Sequence, residues 1–166
     1  RFYSAQRGAR QFGENSAIGW RWFLFNNTAV KRSAIKKTGL FDEKFTSYGG
    51  EDTDMAIRLW HNFPDALRFS SKINAEHHHK RSLNQFCKQM EIFGKTNLPL
   101  LLDRYPEYHQ ELAGDWITTW KGRLLFNALV SNLLRLINII LPNITVTRYL
   151  VIYSVICGAR GALYRR

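Results

Sequence analysis

Ser47-Tyr48-Gly49-Gly50-Glu51-Asp52-Thr53-Asp54-Met55-Ala56-Ile57-Arg58-Leu59 is the run from which this chain is best read. Two glycines make a close-approach turn. Three carboxylates, Glu51, Asp52 and Asp54, follow within four residues. Met55, Leu59 and Phe63 then recur at four-residue spacing, with Ala56 and Trp60 beside them, which predicts one apolar face of a helix. The acids therefore fall in a loop and on the first helical turn. Two readings follow. Acidic side chains complement the exposed N–H groups and dipole of a helix N-terminus. Alternatively, a carboxylate held at a cleft edge serves as a general base or stands beside a metal.

Upstream of this run lie Phe25-Asn26-Asn27-Thr28-Ala29-Val30-Lys31-Arg32-Ser33-Ala34 and Gly39-Leu40-Phe41-Asp42-Glu43-Lys44-Phe45. Downstream lies His77-His78-His79-Lys80-Arg81-Ser82-Leu83. In this order the pieces resemble the C-terminal half of the catalytic domain of family-2 glycosyltransferases, inverting enzymes with the GT-A fold. There the run is Asn-x-x-x-(Lys/Arg)-(Arg)-Ser, Gly-Gly-Phe-Asp-Glu-x-Phe, Gly-Glu-Asp-x-Asp-(apolar)-x-x-Arg-Leu, and a histidine near a serine. The resemblance covers about residues 20–94. It departs from the pattern at Leu40, where the family has a second glycine, and in having no match to the Asp-x-Asp metal motif of the nucleotide-sugar half.

The resemblance implies an α/β fold: the acceptor-side half of a GT-A domain over residues 1–100, followed by a helical, membrane-associating tail over 101–166. It implies a chain that begins mid-domain, with the nucleotide-binding half lying before Arg1. It makes Asp52 the general base and gives Glu51, Gly50 and Gly49 to acceptor binding. A hydroxyl is a poor nucleophile, so a carboxylate must take its proton as the sugar leaves the diphosphate. The implied partners are a nucleotide-diphospho-sugar donor, a glycan or lipid-linked acceptor, and Mg²⁺ or Mn²⁺ acting as a Lewis acid on the leaving diphosphate.

Three adjacent histidines invite a metal reading from the residues alone, since neutral imidazole is a common ligand. Alternation along a strand lets only His77 and His79 share a face. Two ligands are too few for a complete site. The resemblance ranks His77 first, as the histidine that completes a cation site whose other ligands lie elsewhere. Lys80 and Arg81 are read as solvated charge.

Composition narrows the alternatives. The chain has 166 residues, 45% of them hydrophobic and 14% aromatic, which excludes a disordered protein. Cys87 and Cys157 are its two cysteines, too few for a disulfide framework and suited to a reducing compartment. Asn26-Asn27-Thr28 and Asn143-Ile144-Thr145 match the glycosylation pattern only as chance does. The net charge of +11 favours anionic partners. After Asp115 no acid occurs, while Lys121, Arg123, Arg135, Arg148, Arg160, Arg165 and Arg166 do. That asymmetry points to a membrane surface, with nucleic acid unlikely, and to the cytoplasmic face of the cell membrane as a peripheral location. The rival functions are a membrane-associated or nucleic-acid-binding basic module without catalysis.

Along the chain, the aromatic run at residues 20–26 predicts a core strand. Ser33 predicts a helix cap and Gly39 its stop. Residues 67–71 and 72–75 predict short strands. Ser82 caps a helix ending near Gly94, and a further helical stretch covers 98–102. Pro106 opens another, to about Trp120. Residues 124–141 and 145–163 predict two apolar-basic helices, the first with Asn127, Ser131, Arg135 and Asn138 on one polar stripe, both lying in the membrane interface.

Overall fold

A computed structural model describes residues 12–23, 25–73, 75 and 81–163. Compactness divides the chain into two units: Arg1–Phe45 with Gly49–His79, and Thr46–Tyr48 with Lys80–Arg166.

The first unit is built around α1 (Arg32–Thr38) and α2 (Glu51–Asn62). Its core holds Ile18, Met55, Leu59 and Leu67, with Phe23, Phe25, Ile35, Trp60 and Phe69 packed against them. Met55 and Leu59 form the inner face of α2, as their spacing predicts, and Phe63, just past the helix end, packs against the same core.

The α/β class is overturned. Among the described residues there is no strand, only an isolated antiparallel bridge between Ala17 and Arg68. The aromatic run forms two 3-10 turns, Trp20–Trp22 and Phe25–Asn27. The Trp22 and Phe23 amides donate to the carbonyls of Gly19 and Trp20, so the hydrogen bonding is local. The rings meet edge to face: Phe23 lies 5.0 Å from Phe25, and Phe25 lies 5.0 Å from Phe41. The preference of aromatics for strands is a preference for packed, half-buried neighbours rather than for an extended backbone, and a turn-rich core satisfies it equally. Likewise, residues 67–69 run against 15–18 through three backbone bonds of 2.8–3.0 Å without extending into a sheet. The N-cap of α1 is Lys31, not Ser33, while Gly39 ends that helix with φ 90°. Only a residue without a Cβ adopts that conformation at low cost.

The second unit is helical: α3 (Leu83–Arg104), α4 (Gly114–Thr118), α5 (Trp120–Leu125), α6 (Ala128–Ile140) and α7 (Ile144–Leu163). Ser82 caps α3 through a reciprocal capping box with Gln85, as its sequence signals. Helix α3 does not stop at Gly94; it runs on through Pro99 to Arg104. Gly94 has a different task. A Cβ there would collide with the Val155 carbonyl of α7, and one at Gly158 would collide with the Glu91 carbonyl of α3. The two glycines let the backbones of α3 and α7 touch.

Gly94→Ala is accordingly expected to destabilise the chain by about 1–3 kcal/mol, because neither backbone can yield without parting the helices. Gly161→Ala, with nothing within 4 Å of the new methyl, is the control and is expected to be neutral or to stabilise by up to about 1 kcal/mol. Chemical denaturation of both variants measures the contrast; equal stabilities would disprove the tight crossing.

Leu98, Ile117, Phe126, Ile156 and Ala159 form the core of this unit, with Tyr149 and Tyr153 against it. Arg160, which the charge pattern groups with the membrane-facing cations, is partly buried. Its three nitrogens donate to the carbonyls of Ile117, Phe126 and Trp116 at 2.6–3.0 Å.

Candidate functional site

The acidic stretch begins α2 in the first unit. Gly49 and Gly50 have φ of 76° and 102°, and Gly50 is the N-cap. Both angles lie where a side chain is strained, which explains the glycine pair. Gly50 has no side chain with which to cap the helix, so the exposed N–H groups of the first turn face the three acids Glu51, Asp52 and Asp54 electrostatically. None of the three is the N-cap residue. A loss of the capping type is therefore not expected on changing Asp52.

The three carboxylates have different surroundings. Asp54 is completely buried and pairs with Arg58 one turn on, Nε to Oδ2 at 2.8 Å. Arg58 also donates to the carbonyls of Thr38 and Leu40, each at 2.9 Å. One guanidinium thus ties the acidic turn of α2 to the end of α1 and to the loop after Gly39. The i,i+4 spacing of Asp54 and Arg58 announces their contact. Nothing local in sequence announces the two carbonyls, which lie 18 and 20 residues away.

Asp52 is half-buried and is held by none of these bonds. Burial first, and then the neighbouring Glu51 charge, push its carboxyl above the usual aspartate range. The helix dipole acts the other way; desolvation and like charge win. The result is a carboxylate that is more basic than an ordinary aspartate and reachable from solvent. Glu51 is also partly buried, and its Oε2 has no hydrogen-bond partner among the described residues.

On the approach to this turn, Asp42 fixes a bend by accepting from the Lys44 amide at 2.9 Å. In the second unit, the buried Asn97 amide donates to the Ser47 carbonyl at 3.0 Å, and Arg81 donates to the Tyr48 hydroxyl at 3.2 Å. Arg81, read from sequence as solvated charge, is partly buried and also lies over the Tyr48 ring. Sequence reasoning did not single out Asn97; a polar residue amid Leu98 and Leu101 on a buried face was its only signal.

His77 and His79 lie outside the described residues. Among the described residues no three His, Cys, Asp or Glu come together in a way that could hold a metal ion. The residues described here thus do not make a cation site of their own.

Residues 19–82, which span this turn, match a family model described as the N-terminal domain of galactosyltransferase. An uncharacterized glycosyltransferase of Bacillus subtilis, YfnE, is 36% identical over 86 residues, 52% of this chain and 21% of that protein. A validoxylamine A glucosyltransferase of Streptomyces hygroscopicus subsp. jinggangensis is 30% identical over 120 residues, 70% of this chain and 26% of that protein. Its counterpart in Streptomyces hygroscopicus subsp. limoneus is also 30% identical, over 24% of its length. The chain thus spans about a fifth to a quarter of the curated relatives it matches. No solved structure matches it. These similarities relate the chain to glycosyltransferases.

Proposed function

We propose that this chain carries the acceptor side of an inverting glycosyltransferase, with Asp52 as the general base. The observation that carries the reading is the Asp52 carboxylate itself: reachable, made more basic by burial and Glu51, and seated on a glycine-built turn within the stretch similar to galactosyltransferase. In the reaction, an acceptor hydroxyl attacks the anomeric carbon of a nucleotide-diphospho-sugar from the face opposite the diphosphate. The new C–O bond forms as the bond to the phosphate oxygen breaks, and the diphosphate leaves with the electron pair. Asp52 takes the hydroxyl proton as the oxygen becomes electron-poor. Glu51, with one carboxylate oxygen unmatched by any described group, accepts a hydrogen bond from a second acceptor hydroxyl. Gly49 and Gly50 leave room for a sugar ring to approach the backbone.

A divalent cation, Mg²⁺ or Mn²⁺, belongs to the same proposal, with His77 and His79 as this chain's ligands and the remaining ligands supplied by the diphosphate and by residues elsewhere in the protein. It would draw charge from the leaving diphosphate. A glycan or lipid-linked acceptor fits a site whose hydrogen-bonding groups are two adjacent carboxylates.

The test is to incubate the full-length protein with nucleotide-diphospho-sugars and candidate glycan acceptors, following nucleoside diphosphate release and the anomeric configuration of the product by NMR. Transfer with inversion is expected. Transfer with retention would remove the single-base scheme, and donor hydrolysis without an acceptor-dependent product would remove the acceptor assignment.

A further inference from the structure

Helix α6 packs with its sides exchanged relative to an ordinary surface helix. Two of its polar residues turn inward: Ser131 is buried, and Asn138 accepts from the Asn143 amide at 3.1 Å and from the Thr147 hydroxyl of α7 at 3.5 Å. Asn127 caps the helix through the Val130 amide at 3.0 Å. Most of the apolar residues face out, with Val130 and Leu134 partly buried. Leu129, Leu133, Leu136 and Ile140, spaced by four, three and four, are 81%, 58%, 61% and 77% exposed. A water-facing helix of a globular protein shows the opposite arrangement, apolar inward and polar outward. Large contiguous apolar surface marks a place where another phase or molecule docks.

From this reversed packing we infer that the outer face of α6 docks onto an anionic lipid bilayer, with the helix lying in the plane of the membrane. Charge selects the occupant. Lys121 and Arg123 before the helix in sequence, Arg135 within it and Arg148 after it are exposed cations, and no acidic residue follows Asp115. An apolar stripe on a segment whose charged residues are all cationic complements acyl chains beneath anionic headgroups. The helix of 13 residues is about 20 Å long and lies flat. No described helix is long and apolar enough to cross a membrane. Helix α7, expected from sequence to lie in the interface as well, instead buries Leu150, Val151, Ile156 and Ala159 within the second unit. Asn132, exposed beside the stripe, is the one polar interruption. The inference rests on the packing of α6 and not on the proposed chemistry, so either can fail without the other.

The experiment is co-flotation of the full-length protein with vesicles of phosphatidylcholine alone or mixed with phosphatidylglycerol. Binding to the mixed vesicles is expected, weaker to phosphatidylcholine alone by about fivefold for each cation at the surface. The variant Leu129→Gln, Leu133→Gln, Leu136→Gln, Ile140→Gln is expected to lose roughly tenfold or more of that binding with an unchanged melting temperature, since all four positions are exposed. Leu129→Asp alone, at the most exposed of the four, gives the same reading if the fourfold variant folds poorly. Equal binding by the wild type and a folded variant overturns the inference. So does a wild-type protein that ignores vesicles but self-associates in sedimentation, with the fourfold variant monomeric: a second copy would then cover the face.

Discussion

Asp52→Asn in the full-length protein is expected to cut sugar transfer by ~10²–10⁴-fold, the usual worth of a general base, while leaving donor binding and the melting temperature intact or slightly raised. The stability half of this expectation follows from the sign of the pKa change. The folded-state carboxyl is raised by burial and by Glu51, so the folded protein holds the proton at pH values where the unfolded chain has released it. Stability is fullest below the ordinary aspartate range, near ~3.9, and declines as pH climbs through the raised value. At neutral pH the ionised Asp52 is therefore a small burden, which the neutral amide removes. A cap would behave oppositely, losing about 1 kcal/mol on substitution, but the N-cap is Gly50. Measuring turnover and melting together separates the roles. A variant that turns over normally, or one that is inactive because it unfolds, would count against Asp52 as the base.

The second large effect belongs to Arg58. Removing it as Arg58→Met leaves the Asp54 carboxylate completely buried without its cation, which typically costs about 3–5 kcal/mol. It also frees the Thr38 and Leu40 carbonyls that hold α1 and its following loop to α2. The loss is expected in the denaturation midpoint, and in transfer as well, since the same helix turn presents Asp52. Asp54→Asn with Arg58→Met should be less damaging than the two single losses summed, with a coupling of about 0.5–3 kcal/mol, as for residues in contact. Additive single effects would mean that the pair is not the unit the geometry describes.

What the sequence made legible was local. The four-residue spacing of Met55, Leu59 and Phe63 placed the inner face of α2, Ser82 and Gln85 marked the start of α3, and the glycine pair marked the turn before Glu51. The order of motifs around Asp52 gave the relation to glycosyltransferases. The errors came where a residue type serves two purposes. Trp20, Trp22, Phe23 and Phe25 suit a strand or a turn-rich aromatic core, and only long-range pairing distinguishes them. Gly94 suits a helix stop or a helix crossing, and the carbonyl of Val155 that decides the matter is 61 positions away in the chain. In α6 the polar stripe was visible in sequence, but which side it faces depends on α7. Arg160 counted as surface charge because its three carbonyl acceptors are 34 to 44 residues distant.

The acid limb of kcat/KM for glycosyl transfer tests the assignment of Asp52 most directly. In the wild type that limb should lie above the ordinary aspartate range. Glu51→Gln removes the charge that helps hold the Asp52 carboxyl up, so its limb should move to lower pH, whatever the variant does to acceptor affinity. A limb that stays where it was in Glu51→Gln, together with near-normal turnover in Asp52→Asn, would contradict the assignment of Asp52 as the base.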